Sequence, residues 1–231
     1  MNRYKLLDTA LIPDDGGELR LFEVGDEFVI KLTGTGGELM STRTHGSEDA
    51  LAEIACKKIA NRPQPRVLIG GLGMGFTLAS ALRHLGDSAE VVVAELVAGV
   101  IEWNHGPLGA KAGNPLQDKR ASVREHDVAL ILKAEKQAYD AILLDVDNGP
   151  EGLTHTANDW LYSMQGLSAC MQALRANGVL AVWSAGPDRD FTERLKKTGF
   201  KVEELRVYAH GKKGTRHTLW MADKPSKNPH A

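Results

Sequence analysis

Cysteine, net charge and long apolar runs are all scarce in this sequence, and each shortage excludes a class of protein. The 231 residues include two cysteines, Cys56 and Cys170, which lie far apart and follow no metal-binding or disulfide spacing. We predict that both are buried free thiols in a reducing compartment. Histidine and cysteine form no group with metal-ligand spacing, so no metal is expected. The formal net charge of −2 gives no overall field that would attract nucleic acid or an anionic membrane.

No apolar run is long enough to cross a membrane or to form the core of a signal peptide. The first residues, MNRYKLLDTALIPDDGG, contain no continuous apolar segment, and the run VVVAELVAGVI is interrupted by Glu95. These features favour a soluble, cytoplasmic protein. The hydrophobic content of 42% is enough for a core, and the length fits one large domain or a main domain with a small appendage.

The chain changes its pattern at the proline-marked stretch NRPQP. Before it, residues 18–41 contain short strands separated by glycine, which predicts a small N-terminal antiparallel β-domain, and a helix with Ser47 as its N-cap follows. We therefore predict an N-terminal unit over 1–62, a larger domain over 63–222 and a disordered tail over 223–231.

The larger unit alternates strands with helices and predicts an α/β fold. Runs such as RVLIG and YDAILLDV are apolar on both faces of a strand, which is typical of a buried parallel sheet. The pattern indicates a Rossmann-like, seven-stranded, mainly parallel sheet with helices on both faces. Its last two strands are expected to form an antiparallel hairpin. One helix is expected to run through ALRANG to a left-handed cap at Gly178.

A glycine cluster follows the first strand of the larger unit, in the stretch RVLIGGLGMGF. Turns at this edge of an α/β sheet hold ligands, and glycine lets the backbone approach them closely. A dinucleotide-binding turn requires a third glycine where this chain has Phe76. The spacing of Gly70, Gly71, Gly73 and Gly75 instead suits a ligand without a pyrophosphate, such as S-adenosylmethionine. The alternative is a tight turn that binds nothing.

Acidic residues end the next two strands. Glu95 is placed to accept hydrogen bonds from both hydroxyls of a ribose, although it could also be a solvated strand end. Asp127 is placed to reach an adenine amino group, with the backbone amide of Val128 beside it. Alternatively, Asp127 caps the helix that follows.

The fourth strand of this unit delivers acidic residues to the same edge, in the stretch AILLDVDNGPEG. Group transfer from a sulfonium needs an uncharged nucleophile held close, and carboxylates favour the positive charge that develops on an attacking amine. We expect Asp145 and Asp147 to be catalytic, with Asp145 orienting the acceptor or taking its proton. Asn148 is a candidate acceptor-binding residue. The alternative is that these residues form only an Asx-type turn.

Three further features could belong to a site. His45 could reach over the cleft, or could simply belong to the start of its helix. Trp160 could line an acceptor pocket, or could pack in the core. The basic hairpin tip AHGKKGTRH, with Lys212 and Lys213, could contact nucleic acid, but a solvated turn is the stronger interpretation, so nucleic acid is not an expected partner.

Taken together, the β-domain, the turn VLIGGLGMG, Glu95, the stretch HDV and the stretch LLDVDNGP resemble the spermidine synthase-like family of polyamine aminopropyltransferases. The resemblance implies a class I S-adenosylmethionine-dependent methyltransferase fold behind a small N-terminal β-domain, and a homodimer. It also implies that Glu95 holds the ribose, that Asp127 contacts adenine and that Asp145 is catalytic.

The sequence departs from this family at the residues that would face a polyamine. The family resembles Gly-Gly-Gly-Asp-Gly at the first turn, whereas this chain reads Gly70-Gly71-Leu72-Gly73-Met74, with Gly73 in place of the acid. The second acid of the family's Asp-Ser-Ser-Asp-Pro-like loop is displaced by one position, at Asp147. A polycation needs several carboxylates or aromatic faces. These departures affect the polyamine end of the site and leave the nucleoside end intact.

We therefore expect a transferase that uses S-adenosylmethionine or its decarboxylated form, without a metal, to move a methyl or aminopropyl group to a small amine. Ordinary spermidine synthesis is not the expected reaction. Two other functions stay open at this point: a non-catalytic nucleoside-binding protein, and a nucleic-acid methyltransferase that uses the basic hairpin.

Overall fold

The computed structural model describes residues 4–13, 16–34, 37–146, 159–210 and 213–226. Within these ranges the chain forms a four-stranded antiparallel sheet and a seven-stranded mixed sheet. The strands are β1 (Lys5–Leu11), β2 (Glu18–Val24), β3 (Glu27–Leu32), β4 (Met40–Ser41), β5 (Arg66–Gly70), β6 (Glu90–Glu95), β7 (Ala121–Glu125), β8 (Tyr139–Leu144), β9 (Leu174–Ser184), β10 (Lys201–His210) and β11 (Lys213–Asp223).

Helices connect most strands of the larger sheet. They are α1 (Gly46–Ile59), α2 (Phe76–His84), α3 (Ala98–His105), α4 (Pro107–Ala112), α5 (Val128–Ala134), α6 (Asp159–Tyr162), α7 (Met164–Ala173) and α8 (Arg189–Thr198), with a 3₁₀ turn at Pro115–Gln117. In the part of the chain that the structure describes, no helix is both long and apolar enough to cross a membrane.

The larger sheet has the strand order β10-β11-β9-β8-β5-β6-β7. Strands β9, β8, β5, β6 and β7 are parallel to one another, and β10 and β11 join them as an antiparallel hairpin. The predicted Rossmann-like architecture is therefore confirmed. The order of strands reverses between β5 and β8, and in open α/β sheets this is the position where ligands bind, beyond the carboxyl ends of the strands.

Alternate residues of the central strands fill two separate cores. Val67 and Ile69 of β5 pack on the face that carries α1, α2 and α3, whereas Leu68 packs on the face that carries α5, α7 and α8. This is the period of two that a strand buried on both sides requires. The first core continues into the four-stranded sheet through Leu21 and Ile30, so that sheet lies over the same face.

The structure corrects two of the predicted helix boundaries. Helix α7 ends at Ala173 and β9 begins at Leu174, so Gly178 is a strand residue and not a helix cap. A Cβ at Gly178 would lie 2.9 Å from the Asp140 carbonyl oxygen, which is why glycine is needed there. Helix α1 begins at Gly46, and no side chain caps it, so Ser47 lies inside the helix.

Strand β1 was not predicted, because its residues are mostly exposed and a register shift between Leu6 and Asp8 interrupts their alternation.

The predicted start of the disordered tail, at residue 223, is too early. Asp223 pairs with Val179 inside the sheet, and the Lys224 ammonium donates to two backbone carbonyls at 2.6 Å.

A buried carboxylate ties the amino end of the sheet together. Asp140, at the start of β8, is 1% exposed. It accepts hydrogen bonds from the Arg62 guanidinium, from the Arg66 backbone N–H at 2.8 Å and from the Arg175 guanidinium at 2.8 Å. Arg62 precedes β5, Arg66 begins β5 and Arg175 belongs to β9. The Asp140 side chain therefore joins these three segments to the start of β8.

We predict that Asp140→Asn lowers the free energy of unfolding by about 2–4 kcal/mol, because it leaves two guanidinium groups without their common charge partner. Urea unfolding monitored by circular dichroism measures this, with exposed Asp26→Asn as the control. Equal stability of the two variants would contradict the assignment.

Candidate functional site

The glycine turn lies between β5 and α2, at the carboxyl edge of the sheet. Gly71 has φ +89°, and its backbone N–H donates to the Ala94 carbonyl at 2.9 Å. A Cβ at this position would lie 2.5 Å from the Asp145 carbonyl oxygen. Gly71 is therefore required twice, by its left-handed backbone and by the close approach of the chain that leaves β8.

Two of the four glycines of this turn line a cavity, and the other two pack against neighbouring side chains. Gly71 and Gly73 line a cavity of about 210 Å³. Gly70 and Gly75 are not among the residues that line it: a Cβ at Gly70 would meet Val128 at 3.1 Å, and one at Gly75 would meet the Asn104 side-chain oxygen at 2.7 Å. Gly70 and Gly75 therefore let the turn pack closely against Val128 and Asn104, and they do not border the cavity.

Glu95 ends β6, lines the cavity and is 8% exposed. One carboxylate oxygen accepts the Leu72 backbone N–H at 2.8 Å, and the other accepts the Val97 N–H at 2.9 Å. Burial raises the pKa of this carboxyl, and these N–H groups oppose that effect. The backbone N–H groups of Gly73 and Leu96 also favour the charged carboxylate, so Glu95 holds the glycine turn while it faces the cavity that a ligand's hydroxyls would enter.

Asp127 lies beside Glu95 along the same edge. One of its oxygens accepts the Ala129 N–H at 2.7 Å, so it is the N-cap of α5. The alternative interpretation, in which Asp127 caps the helix that follows, is therefore correct. Asp127 and Val128 also line the cavity, which leaves both of them available to an adenine ring.

Asp145 follows β8 at the opposite side of the turn and faces the same cavity. Its carboxylate accepts the Thr77 hydroxyl at 2.5 Å. Burial raises the pKa of Asp145 to about 6, and the Thr77 hydrogen bond opposes the shift. A carboxyl with a pKa near neutrality can exchange a proton with a bound amine.

Glu48, which no sequence motif marks as a site residue, also lines the cavity. It belongs to the first turn of α1, and the Ser47 hydroxyl donates to it at 2.5 Å. Burial and, secondly, the nearby Asp145 charge raise the pKa of Glu48 to about 7. We call Glu48 and Asp145 the acid pair. In the sequence, Glu48 is indistinguishable from an acid that favours the positive end of a helix dipole.

A polar chain leads from the acid pair toward β11. The His217 ring nitrogen Nδ1 lies 2.8 Å from the Ser47 hydroxyl, and burial lowers the pKa of His217. The His217 ring meets the edge of Trp183, with ring centres 4.7 Å apart. Trp183 itself lines the cavity. Ser47 thus connects the acid pair to the far hairpin instead of capping its helix.

Two candidate acceptor-binding residues lie elsewhere. The His45 ring stacks on Phe76 with centres 4.0 Å apart, and its Nδ1 lies 2.7 Å from the Asp49 carboxylate. Trp160 packs against the opposite core, with the Lys133 ammonium 4.2 Å above its ring. Neither residue is among those that line the cavity.

Several predicted residues lie outside the described part of the chain. Asp147 and Asn148 fall in the range 147–158, and Lys212 falls in the range 211–212. Near the hairpin tip, the described Arg216 guanidinium lies over the Tyr208 ring at 5.3 Å. Among the residues that the structure describes, no three His, Cys, Asp or Glu side chains form a group that could hold a metal ion.

Comparisons with known proteins concern the family and the fold of this chain. The family model described as spermine/spermidine synthase domain matches residues 47–193, which is more than half of the chain. Comparison with curated protein sequences gives no match.

Several solved structures share the fold. Spermidine synthase from Thermotoga maritima is 20% identical, with a TM-score of 0.72 over 97% of this chain and 73% of that one. A spermidine synthase in complex with the transition state analogue AdoDATO is 19% identical, with a TM-score of 0.73 over 96% and 73%. A probable spermidine synthase from Corynebacterium glutamicum ATCC 13032 is 13% identical, with a TM-score of 0.64 over 96% and 81%.

We predict that Glu95→Gln weakens binding of 5′-methylthioadenosine, which carries the adenine and ribose of either donor, by roughly 10- to 100-fold. The reason is the loss of hydrogen bonds to a charged acceptor. Isothermal titration calorimetry measures the affinity, and circular dichroism verifies folding. Glu90→Gln, at the exposed start of the same strand, should bind like the unmodified protein. Equal affinity of the two variants would exclude Glu95 from the nucleoside site.

A second prediction concerns the stability of the acid pair. The folded-state pKa of Glu48, about 7, lies above its usual 4.5, so the folded protein loses stability from this group as the pH rises from 4.5 through 7. Glu48→Gln should therefore raise the free energy of unfolding by about 1–2 kcal/mol at pH 8 and change it little at pH 4.5. Urea unfolding at the two pH values tests this, with Glu102→Gln at an exposed position of α3 as control. A gain that is independent of pH would refute the explanation.

Proposed function

Because this chain belongs to the spermine/spermidine synthase domain family, we propose that it transfers a group from the sulfonium of an S-adenosylmethionine-type donor to a small amine. The transferred group is aminopropyl if the donor is decarboxylated and methyl if it is not. The observation that carries the proposal is the acid pair, which faces the same cavity as Glu95 and the glycine turn. One cavity thus contains nucleoside-binding groups at one end and proton-accepting groups at the other.

The residues at the nucleoside end fit the donor. Gly71 and Gly73 expose backbone where a side chain would fill the space, and the buried carboxylate of Glu95 faces the cavity at the place that ribose hydroxyls would take. Asp127 and Val128 border the place that an adenine ring would take. The donor supplies an electrophilic carbon on a positively charged sulfur, and this chain's residues supply its position.

The acid pair would prepare the acceptor. An amine arrives as an ammonium ion, and Asp145 takes one proton to leave a neutral nitrogen with a free electron pair. The nitrogen then forms its bond to the donor carbon while the carbon–sulfur bond breaks and its electrons remain on sulfur. The product leaves as a substituted ammonium ion, and one proton passes from the acid pair to water.

The hydrogen bonds around the acid pair suit this task. The Thr77 hydroxyl holds one Asp145 oxygen at 2.5 Å, which fixes the carboxylate beside the turn. The Ser47 hydroxyl does the same for Glu48. Ser47 also lies 2.8 Å from His217 Nδ1, so a half-buried imidazole is placed to pass a proton onward from the pair.

We predict that the protein, incubated with either donor and a panel of small amines, releases one nucleoside thioether. Formation of 5′-methylthioadenosine would indicate aminopropyl transfer, and formation of S-adenosylhomocysteine would indicate methyl transfer. Asp145→Asn should lower kcat by roughly 10²- to 10⁴-fold, because it removes the base, and should leave the affinity for 5′-methylthioadenosine nearly unchanged.

The control for this experiment is Asp87→Asn, which changes an exposed acid and should retain full activity. Full activity in Asp145→Asn would remove that residue from the mechanism. Binding of a donor without product from any amine would instead support a non-catalytic nucleoside-binding protein.

A further inference from the structure

The polar chain Glu48–Ser47–His217 joins the acid pair to β11, a strand that is distant in the sequence. The Ser47 hydroxyl donates to Glu48 at 2.5 Å, and His217 Nδ1 lies 2.8 Å from the same hydroxyl oxygen. Ser47 is fully buried. The neighbouring Gly46 packs against β10, where a Cβ would lie 2.9 Å from the Ala209 carbonyl oxygen. Backbone packing thus fixes the segment that brings these three side chains together.

His217 lies where β11 passes from the surface into the core. Residues 214–216 are exposed, His217 is partly buried, and residues 218–220 are buried. The imidazole meets the ring of Trp183, with centres 4.7 Å apart, and Trp183 lines the cavity. The polar chain therefore starts at a carboxyl that faces the cavity and ends at a partly exposed ring.

The hydrogen bonds of the polar chain can run in either direction. When Glu48 is ionised, the Ser47 hydroxyl donates to it, so His217 Nδ1–H must be the donor to the Ser47 oxygen. When Glu48 is protonated, its O–H can donate to the Ser47 oxygen while the Ser47 hydroxyl donates to His217 Nδ1, and Nε2 carries the ring proton. Moving both hydroxyl protons along the chain takes one proton from Glu48 to the imidazole. Loss of the Nε2 proton to water then restores the first arrangement.

The proposed reaction needs such a path, because it releases a proton. The sulfonium and the ammonium that react carry two positive charges, whereas the thioether and the substituted ammonium that they form carry one. Each turnover therefore leaves one proton on the acid pair. Asp145 and Glu48 line the same cavity and their charges interact, so the two carboxyls share that proton as a titrating pair. The hydrogen bond of Asp145 leads to the buried Thr77, whereas that of Glu48 leads through Ser47 to His217.

Resting on the proposed function, we infer that Ser47 and His217 are positioning residues that carry the released proton from the acid pair to solvent. Ser47 passes the proton on through its hydroxyl. His217 accepts it at Nδ1 and gives up the proton on Nε2 to water or to a buffer base. Neither residue is among the described residues that line the cavity, so both act through Glu48 and not on the substrate.

The test measures kcat at low buffer concentration, with the donor and the amine that give turnover. Ser47→Ala and His217→Ala should each lower kcat by roughly 10- to 100-fold, because proton transfer from the acid pair loses its relay. Added imidazole should restore most of the kcat lost in His217→Ala, since it can replace the missing ring. It should not restore Ser47→Ala, which lacks the link between the ring and Glu48. The affinity of both variants for 5′-methylthioadenosine should stay unchanged.

Matched control variants come from α2. Ser80 is buried and its hydroxyl donates to the Asp49 carbonyl oxygen at 2.8 Å, and His84 Nδ1 lies 2.8 Å from the Ser80 carbonyl oxygen. Ser80→Ala and His84→Ala should therefore keep full kcat and should not respond to imidazole. If His217→Ala does not fold, His217→Gln provides a second variant, because it keeps a polar side chain that cannot accept and release a proton in this way.

Unchanged kcat in folded Ser47→Ala, or in either folded His217 variant, would overturn the inference. A loss in His217→Ala that imidazole does not restore would also overturn it, because His217 would then serve only to pack against Trp183. These results are separable from those for the proposed function. Absence of product from the unmodified protein with every amine refutes the transferase activity, whereas full activity in the Ser47 and His217 variants refutes only the proton path.

Discussion

The approach of the Gly71 backbone to that of Asp145 is the constraint on which both ends of the cavity depend. The Asp145 N–H donates to the Gly70 carbonyl at 3.0 Å, and a Cβ on Gly71 would lie 2.5 Å from the Asp145 carbonyl oxygen. Any side chain at Gly71 would force apart the carboxyl ends of β5 and β8, which are paired to their last residues. The distance from nucleoside end to acid pair is therefore set by backbone packing, and side chains only complete it.

The parts of the site that follow a strand could be predicted from the sequence, because a local rule governs them. Buried runs identify β5, β6 and β8, and parallel strands bring their carboxyl ends to one edge. Glu95 and Asp145 were placed on the cavity by that rule alone. The rule does not distinguish a residue that contacts a ligand from one that lets the turn pack, so it treats Gly70 and Gly75 as equivalent to Gly71 and Gly73.

The parts contributed by distant segments could not be predicted in this way. Glu48 lies near enough to Asp145 for their charges to interact, because α1 packs on the face of the larger sheet, where a Cβ on Gly46 would lie 2.9 Å from the Ala209 carbonyl oxygen. No local pattern encodes that contact. The same tertiary contacts engage His45 with Phe76 and Asp49, although its sequence position suggested a role over the cleft. The mostly exposed β1 gave no periodic signal, yet the chain just beyond it supplies Ile12 to the cavity lining.

The acid pair depends on hydroxyl groups from helices that are distant in the sequence. Burial raises the pKa values of Asp145 and Glu48 above their usual range, and two interacting carboxyls of this kind titrate as a pair rather than singly. The Thr77 hydroxyl of α2 donates to Asp145, and the Ser47 hydroxyl of α1 donates to Glu48. Because α2 follows the glycine turn directly, the turn that bears Gly71 also fixes the helix that holds Asp145. The packing of the turn and the position of the acid pair are therefore set by the same segment of chain.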